Sequence, residues 1–499
     1  MNTAKTSNNA PGPPVYPGNI RGRLLKGFGA NLINQVLVFS TRVVLAPLFL
    51  KAWGVEVYGE WLLLSSFVAY LSLTDMGGQS YIANRLTQTY TQGNMVLFRK
   101  VLHTGLALFL IMPTAVFLLF SATIRIVPTF SFLQISHTNH QVVVWVLTIL
   151  AFQFIFGLPQ GIVLGIYRAI GRLPRGVMLS NLTQLLQLAF IAGGLWLGGG
   201  MILIAALQAL PFLLVAILAV IDLNSRFPQF SLLSLNDAEV SIGRTFVKPS
   251  LHFLSIQASL VFSIQGTVLV VGMVLAPVQV VIFTTIRTMT QAMRQLVYLL
   301  IHSAWPEITR LDAEQNVGEL LSLFRAILRS ALVATAILIL IFHFFGGAIY
   351  RLWLGDTVEY QQVAMDLFLI YALQLVFWTT CSSLLMATNI HHALAKILLV
   401  SSLVGIVLAY LGGRYFGLRG VIVGMTIGDA LMPLWLVPYL VNRYDARFSL
   451  KFFLKEASPI IGSLICVALL PWSGLVVPFL LLLWWARCLP KLLSAERDL

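Results

Sequence analysis

Three arginines, Arg42, Arg287 and Arg294, lie inside long apolar runs of the chain rather than in the polar stretches between them. An arginine in hydrocarbon costs about 2.5–3.5 kcal/mol even on the lenient insertion scale, so such a residue normally faces a polar interior. Its planar fork of N–H donors matches phosphate and carboxylate oxygens bidentately. The chemistry open to these three is anion binding. The competing reading is a structural pair with a carboxylate or a backbone carbonyl. Arg287 and Arg294 are seven residues apart, which places them on one helical face.

Other polar side chains share the apolar runs. Asn31 and Gln35 stand at i and i+4, with Arg42 seven residues beyond Gln35. Gln257 and Gln265 are eight apart. Amides in these positions can hydrogen-bond sugar hydroxyls, or they can join one membrane helix to another. Two carboxylates, Asp75 and Asp429, suit gating or the binding of a coupling ion, H+ or Na+, and equally suit pairing with an arginine. His391 and His392 have no third ligand at metal-site spacing, and the Gly198-Gly199-Gly200 run reads as a tight turn. Cys381, Cys466 and Cys488 match no zinc or disulfide pattern. Neither a nucleophile with its base nor a nucleotide-binding motif is present. The chain reads as a non-enzyme with no cofactor beyond a coupling ion.

The elements that must position these residues are membrane helices. Apolar residues make up 58% of the chain and charged ones 10%, and the mean hydropathy is +0.88. A helix needs about 20 mostly apolar residues to span a bilayer, and the sequence supplies about fourteen such segments. They are expected near 27–50, 58–79, 98–121, 142–166, 178–197, 201–222, 247–271, 277–300, 326–346, 363–387, 396–412, 418–441, 457–471 and 474–487. The net charge of +14 raises nucleic acid as a partner until the charges are placed. One alternating set of loops holds 24 lysines and arginines and the other holds five, Lys51, Arg125, Arg351, Arg414 and Arg419. The basic excess is thus an orientation signal. It predicts cytoplasmic termini and a cytoplasmic central loop, and it removes nucleic acid as a partner.

An internal repeat is expected as well. Spans 1 and 7 run into the next span through short outer loops, Leu50 to Gly59 and Val274 to Val280. Spans 4 and 10 leave through polar turns, Gly165 to Arg172 and Leu385 to His392. Both correspondences are six spans apart, as in transporters built from parallel repeats. The expected fold is an all-α polytopic membrane protein with two six-helix lobes around a central cavity, plus two C-terminal helices. Its parts are a polar tail over 1–26, a lobe over 27–222, a connecting loop over 223–246, a lobe over 247–441, and the extra helices and tail over 442–499.

Specific motifs add a family resemblance. Gly29-Ala30-Asn31 opens span 1. Gly54-Val55-Glu56-Val57-Tyr58-Gly59-Glu60-Trp61 opens span 2, which ends at Tyr70-Leu71-Ser72-Leu73-Thr74-Asp75-Met76-Gly77, with Asn84 beyond. Tyr415-Phe416-Gly417-Leu418-Arg419-Gly420-Val421 precedes span 12. In these stretches the chain resembles the polysaccharide (O-antigen, Wzx-type) flippase family of the MATE-like multidrug/oligosaccharidyl-lipid/polysaccharide exporter superfamily. The resemblance implies a two-lobed bundle with a partly cationic cavity in a bacterial inner membrane. It implies an undecaprenyl-pyrophosphate-linked oligosaccharide as substrate, moved from the cytoplasmic to the periplasmic leaflet. Membrane lipid, that glycan and a polysaccharide polymerase or assembly complex are the implied partners. The rivals are a multidrug or lipid II-type exporter of the same fold and, from a different class, a membrane polysaccharide polymerase.

Overall fold

A computed structural model describes residues 20–75, 77–126, 133–232, 234–387, 392–449 and 451–458. Residues 1–19 of the polar N-tail, Cys466, Cys488, His391 and nearly all of spans 13 and 14 lie outside these residues. Every regular element among the described residues is helical. Nine helical stretches there are long and apolar enough to cross a membrane. Span 1 from residue 33 onward and span 2 fall within one of them, Ile33–Thr91, and spans 11 and 12 within another, Ala393–Tyr444.

The chain divides into two compact units, Met1–Gly54, Phe67–Phe130 and Ser136–Gln257 forming the first and Val55–Ser66, Ser131–Ile135 and Ala258–Leu499 the second. The first is built from α1 (Ile20–Ala69, shared with the second), α2 (Gly78–Thr91), α3 (Met95–Ile126), α4 (His140–Ala169), α5 (Leu173–Trp196), α6 (Met201–Arg226) and most of α7 (Val240–Val261). Its centre is α4, which buries Leu147, Leu150, Ile155, Ile162 and Ile166. Gly161 and Gly165 let α2 approach closely, since a Cβ at either would run into Gln79 or Ala83. Small residues at such spacing are how membrane helices gain van der Waals packing without a hydrophobic driving force.

The second unit holds residues 55–66 of α1, the end of α7, α8 (Thr267–Val274), α9 (Pro277–Ala313), α10 (Val317–Leu354), α11 (Gln362–Ala387), α12 (His392–Leu431) and α13 (Pro433–Tyr444). Leu63 fills the space beside Gly272, and Gly59 lies directly on the Pro277 backbone. Two outer loops expected from the sequence shrink to single residues. Helix α1 passes Gly54 with φ 77° and ψ 178°, and α12 reverses at Gly417 with φ 62° and ψ −148°. Both positions need glycine because a Cβ is disfavoured at positive φ. The two arms of α12 then meet through Gly412 on Gly420, Gly424 on Leu408 and Gly428 on Gly405.

A repeat unnoticed at the level of hydropathy emerges at one end of each unit. Leu97-Phe98-Arg99-Lys100-Val101-Leu102-His103-Thr104 in α3 matches Leu323-Phe324-Arg325-Ala326-Ile327-Leu328-Arg329-Ser330 in α10. Phe98 packs on Phe230, from the segment after α6, with ring centroids 4.8 Å apart. Phe324 packs on Phe448, from the segment after α13, at 5.3 Å. Each following segment is also held by charge. Arg99 meets Asp237 at 3.5 Å and Lys100 meets Glu239 at 2.9 Å. Arg325 meets Glu456 at 3.4 Å, and Arg329 donates from Nη2 to Glu456 at 3.0 Å.

Candidate functional site

The second unit gathers a polar cluster within its helices. Helix α9 supplies Arg287 and Arg294 among Thr284, Thr285, Thr288, Thr290 and Gln291. Helix α11 supplies Tyr371, Gln374 and Trp378, which at i, i+3 and i+7 share one face. Helix α12 supplies Ser401 and Asp429 from its two arms.

Asp429 accepts from Trp378 Nε1 at 3.4 Å and from Ser401 Oγ at 3.3 Å. Ser401 Oγ also donates to the Gly428 carbonyl at 3.1 Å. Both donors to the carboxylate are neutral. Arg294, half-buried, lies within electrostatic reach of Asp429, Tyr371 and Tyr298, yet makes no hydrogen bond or close ion pair among the described residues. Tyr371 is also in reach of Arg287. Gln374 donates from Nε2 to the Thr426 carbonyl at 2.9 Å, which ties α11 to α12 beside the cluster.

Arg287 is held differently. Its Nη1 donates to the Ile264 carbonyl at 2.8 Å and to Thr267 Oγ1 at 3.3 Å. Its guanidinium carbon lies 5.1 Å from the centroid of the Phe283 ring. Ile264 belongs to a π-helical turn, Phe262–Gly266, set between α7 and α8. A π turn loosens the i→i−4 ladder, and such turns recur at functional sites.

The remaining sequence-derived residues spread out. Gln265 is half-buried on the same π turn, next in sequence to the Ile264 carbonyl that Arg287 contacts. In the first unit, Gln35 and Arg42 are exposed on α1, and Gln257 is exposed on α7. The side chain of Asn31 lies outside the described residues. Asp75 ends a short 3-10 turn, Tyr70–Asp75, and accepts the Gln79 N–H at 3.2 Å, a local cap at the start of α2. Tyr371, Gln374, Trp378, Ser401 and the Ile264 carbonyl were not singled out from the sequence. The one-face spacing of the three α11 residues was the available signal. The Ile264 carbonyl had none, because a main-chain acceptor carries no residue type.

Among the described residues no group of three or more His, Cys, Asp or Glu could hold a metal ion. One half-buried carboxylate with neutral donors, Asp429, can carry a proton or a single monovalent cation. Two arginines to one aspartate leave the cluster net positive, which suits an anionic ligand.

No protein-family model matches the chain, and no curated protein matches its sequence. Solved structures do match its fold. A multidrug resistance MATE family transporter of the MOP superfamily in its inward-facing conformation superposes with a TM-score of 0.65 at 15% identity, over 84% of this chain and 94% of that one. An outward-facing form of such a transporter gives 0.58 at 15%, over 87% and 97%. A MOP superfamily transporter from Pyrococcus furiosus Vc1 (DSM3638), described as having a binding pocket of reverse polarity that suggests a different function, gives 0.51 at 15%, over 85% and 94%. The chain therefore has the MATE-like transporter fold, as a polytopic, all-helical membrane protein.

Proposed function

We propose that this chain is an alternating-access exporter that flips an undecaprenyl-pyrophosphate-linked oligosaccharide from the cytoplasmic to the periplasmic leaflet of a bacterial inner membrane. The observation that carries the reading is Arg294, a guanidinium inside a membrane helix with no hydrogen-bond or close ion-pair partner among the described residues. A cation there is costly. Its retention is explained if an anion that visits the site completes its hydrogen bonds. A pyrophosphate is the part of the lipid-linked glycan that cannot cross hydrocarbon unaided, since an isolated buried charge costs tens of kcal/mol by idealised Born estimates. The prenyl tail can stay in lipid while the head follows a polar path. Arg42 on α1 and Arg287 on α9 join Arg294 as anion contacts in this reading, and the amides Asn31, Gln35, Gln257, Gln265 and Gln374 meet sugar hydroxyls.

The multidrug transporters among the structural neighbours support a second reading, export of an amphipathic drug. A cationic drug would be repelled by the net positive cluster around Arg287 and Arg294. The Pyrococcus furiosus transporter, whose binding pocket is described as of reverse polarity suggesting a different function, is a precedent within the fold for a pocket of altered charge. Asp429 is the proposed site of H+ or Na+ coupling, Asp75 a proposed gating residue, and a cytoplasmic location is proposed for both termini. A polysaccharide polymerase or assembly complex is the proposed protein partner.

The test is glycan display by cells whose own exporter is deleted. Arg294→Ala is expected to abolish surface glycan while the protein remains in the membrane, and Arg294→Lys to restore it partly, because an ammonium lacks the bidentate fork. Normal display with Arg294→Ala and Arg287→Ala combined would refute the anion reading.

A further inference from the structure

Helix α7 gives way at its C-terminal end to the π turn Phe262–Gly266, and α8 follows directly from Thr267. A regular α-helix is stiff, and sharp changes of direction concentrate where its hydrogen-bond ladder is interrupted. The π turn is therefore the point at which the α7–α8 path can bend.

That turn is held from outside. The Ile264 carbonyl is capped by Arg287 Nη1 at 2.8 Å and approached by Thr267 Oγ1 at 3.2 Å. Thr267 Oγ1 lies 2.9 Å from the Ser263 carbonyl and 3.3 Å from Arg287 Nη1. The Phe283 ring, one turn from Arg287 on α9, backs the guanidinium at 5.1 Å. One arginine on α9 thus completes the hydrogen bonding of a bend point on the preceding helix.

We infer that Arg287 is a positioning residue, an anion-sensitive pin for the α7–α8 hinge. The inference rests on the proposal that an anion meets this arginine. A phosphate oxygen is a charged acceptor and outcompetes a neutral carbonyl for guanidinium N–H groups, by roughly a factor of two in bond strength. When the anion takes Nη1, the Ile264 carbonyl loses its shorter, charged donor and is left with the Thr267 Oγ1 contact at 3.2 Å. The π turn then opens or re-registers toward α-helix to recover a donor. Binding at the cluster is in this way converted into bending of the α7–α8 path.

Hydrogen–deuterium exchange on the full chain in lipid nanodiscs tests this, with inorganic pyrophosphate as the probe. Pyrophosphate is expected to speed exchange of amides 264–270 several-fold while leaving α5 unchanged. Arg287→Ala is expected to raise the same amides about tenfold without ligand, as for loss of one hydrogen bond to a charged group, and to abolish the response to pyrophosphate. Thr267→Val, which keeps shape and removes the second partner, gives a smaller rise and remains informative if Arg287→Ala does not fold. Pyrophosphate that binds by calorimetry without changing exchange overturns the pin and leaves the anion reading intact. Absence of binding overturns both, and native exchange in Arg287→Ala overturns the pin alone.

Discussion

Asp222 in the first unit and Asp429 in the second are both aspartates on long apolar helices, and they are treated in opposite ways. Asp222 accepts from Tyr167 at 2.7 Å, from Arg175 Nε at 2.8 Å and Nη2 at 2.6 Å, and from Arg226 at 2.8 Å. Its lone pairs are filled, two of its partners are permanent cations, and it lies near the end of α6. Asp429 has two neutral donors, while the nearby Arg294 stays unengaged. The same residue types make an anchor where every group is satisfied and a binding site where groups are left over. A cation left without a hydrogen-bond partner inside a membrane helix is costly, so the contrast between Asp222 and the Asp429–Arg294 cluster marks the latter as the candidate site.

The largest effect should come from breaking the unsatisfied side. Removing Arg294 should lower glycan export per folded molecule by about 10–100-fold, the range for losing a hydrogen bond to a charged group. Scintillation counting of flipped lipid-linked glycan in proteoliposomes measures it. A loss confined to protein level would instead class Arg294 with the anchors.

Glu456 is the strongest anchor of the second unit. Only 2% of its side chain is exposed, and it meets both Arg325 and Arg329. Glu456→Gln leaves two arginines facing a neutral amide and should cost about 3 kcal/mol, the low end for breaking a buried pair. The readout is a lowered Tm in detergent with transport per folded molecule retained. Asp222→Asn should cost less, about 1–2 kcal/mol, because Arg175 and Arg226 are themselves 44% and 47% exposed and regain water. Equal losses for the two variants would contradict the burial argument.

Asp429→Asn should separate from both. If the carboxylate couples transport to an ion gradient, the amide keeps shape and stability but flattens the response of transport to an imposed H+ or Na+ gradient, because only differential binding shifts a two-state equilibrium. A lowered Tm with gradient response intact would make it an anchor like Asp222.

The smallest effect belongs to the segment after α6. Lys100 and Ser241 donate to Glu239 and hold its carboxyl below the ordinary carboxylate value, the Lys100 hydrogen bond most of all. A depressed acid adds stability that is complete above its unfolded value, about 4.3, and is lost as pH falls through the folded one. A fluorophore at Asn236 should therefore gain rotational freedom as the pH drops below that ordinary carboxylate value. Glu239→Gln should be looser at neutral pH and respond less to acid.

Much of this protein was legible in one dimension. Hydropathy identified an all-helical membrane chain because a bilayer offers backbone groups no water, so each span must satisfy its own hydrogen bonds by local, sequence-near pairing. For the same reason Arg287, Arg294 and Asp429 stood out as charges at depth before any contact was known. The Leu97–Thr104 and Leu323–Ser330 repeat was equally readable, although its meaning required seeing Phe230 and Phe448 dock on it.

What only the tertiary structure decided is which charges are answered. Asp222 meets Arg175 from 47 residues away, Arg329 meets Glu456 from 127 away, and Arg287 meets a carbonyl rather than a side chain. Such pairings depend on helix rotation and the closeness of approach, which glycines such as Gly161, Gly272 and Gly424 set through packing against distant partners. The sequence determined that charges enter the membrane. The packed helices decided that Arg294 alone of the three second-unit residues Arg287, Arg294 and Asp429 has no hydrogen-bond partner among the described residues, because satisfaction is a property of neighbours in space and not of the residue itself.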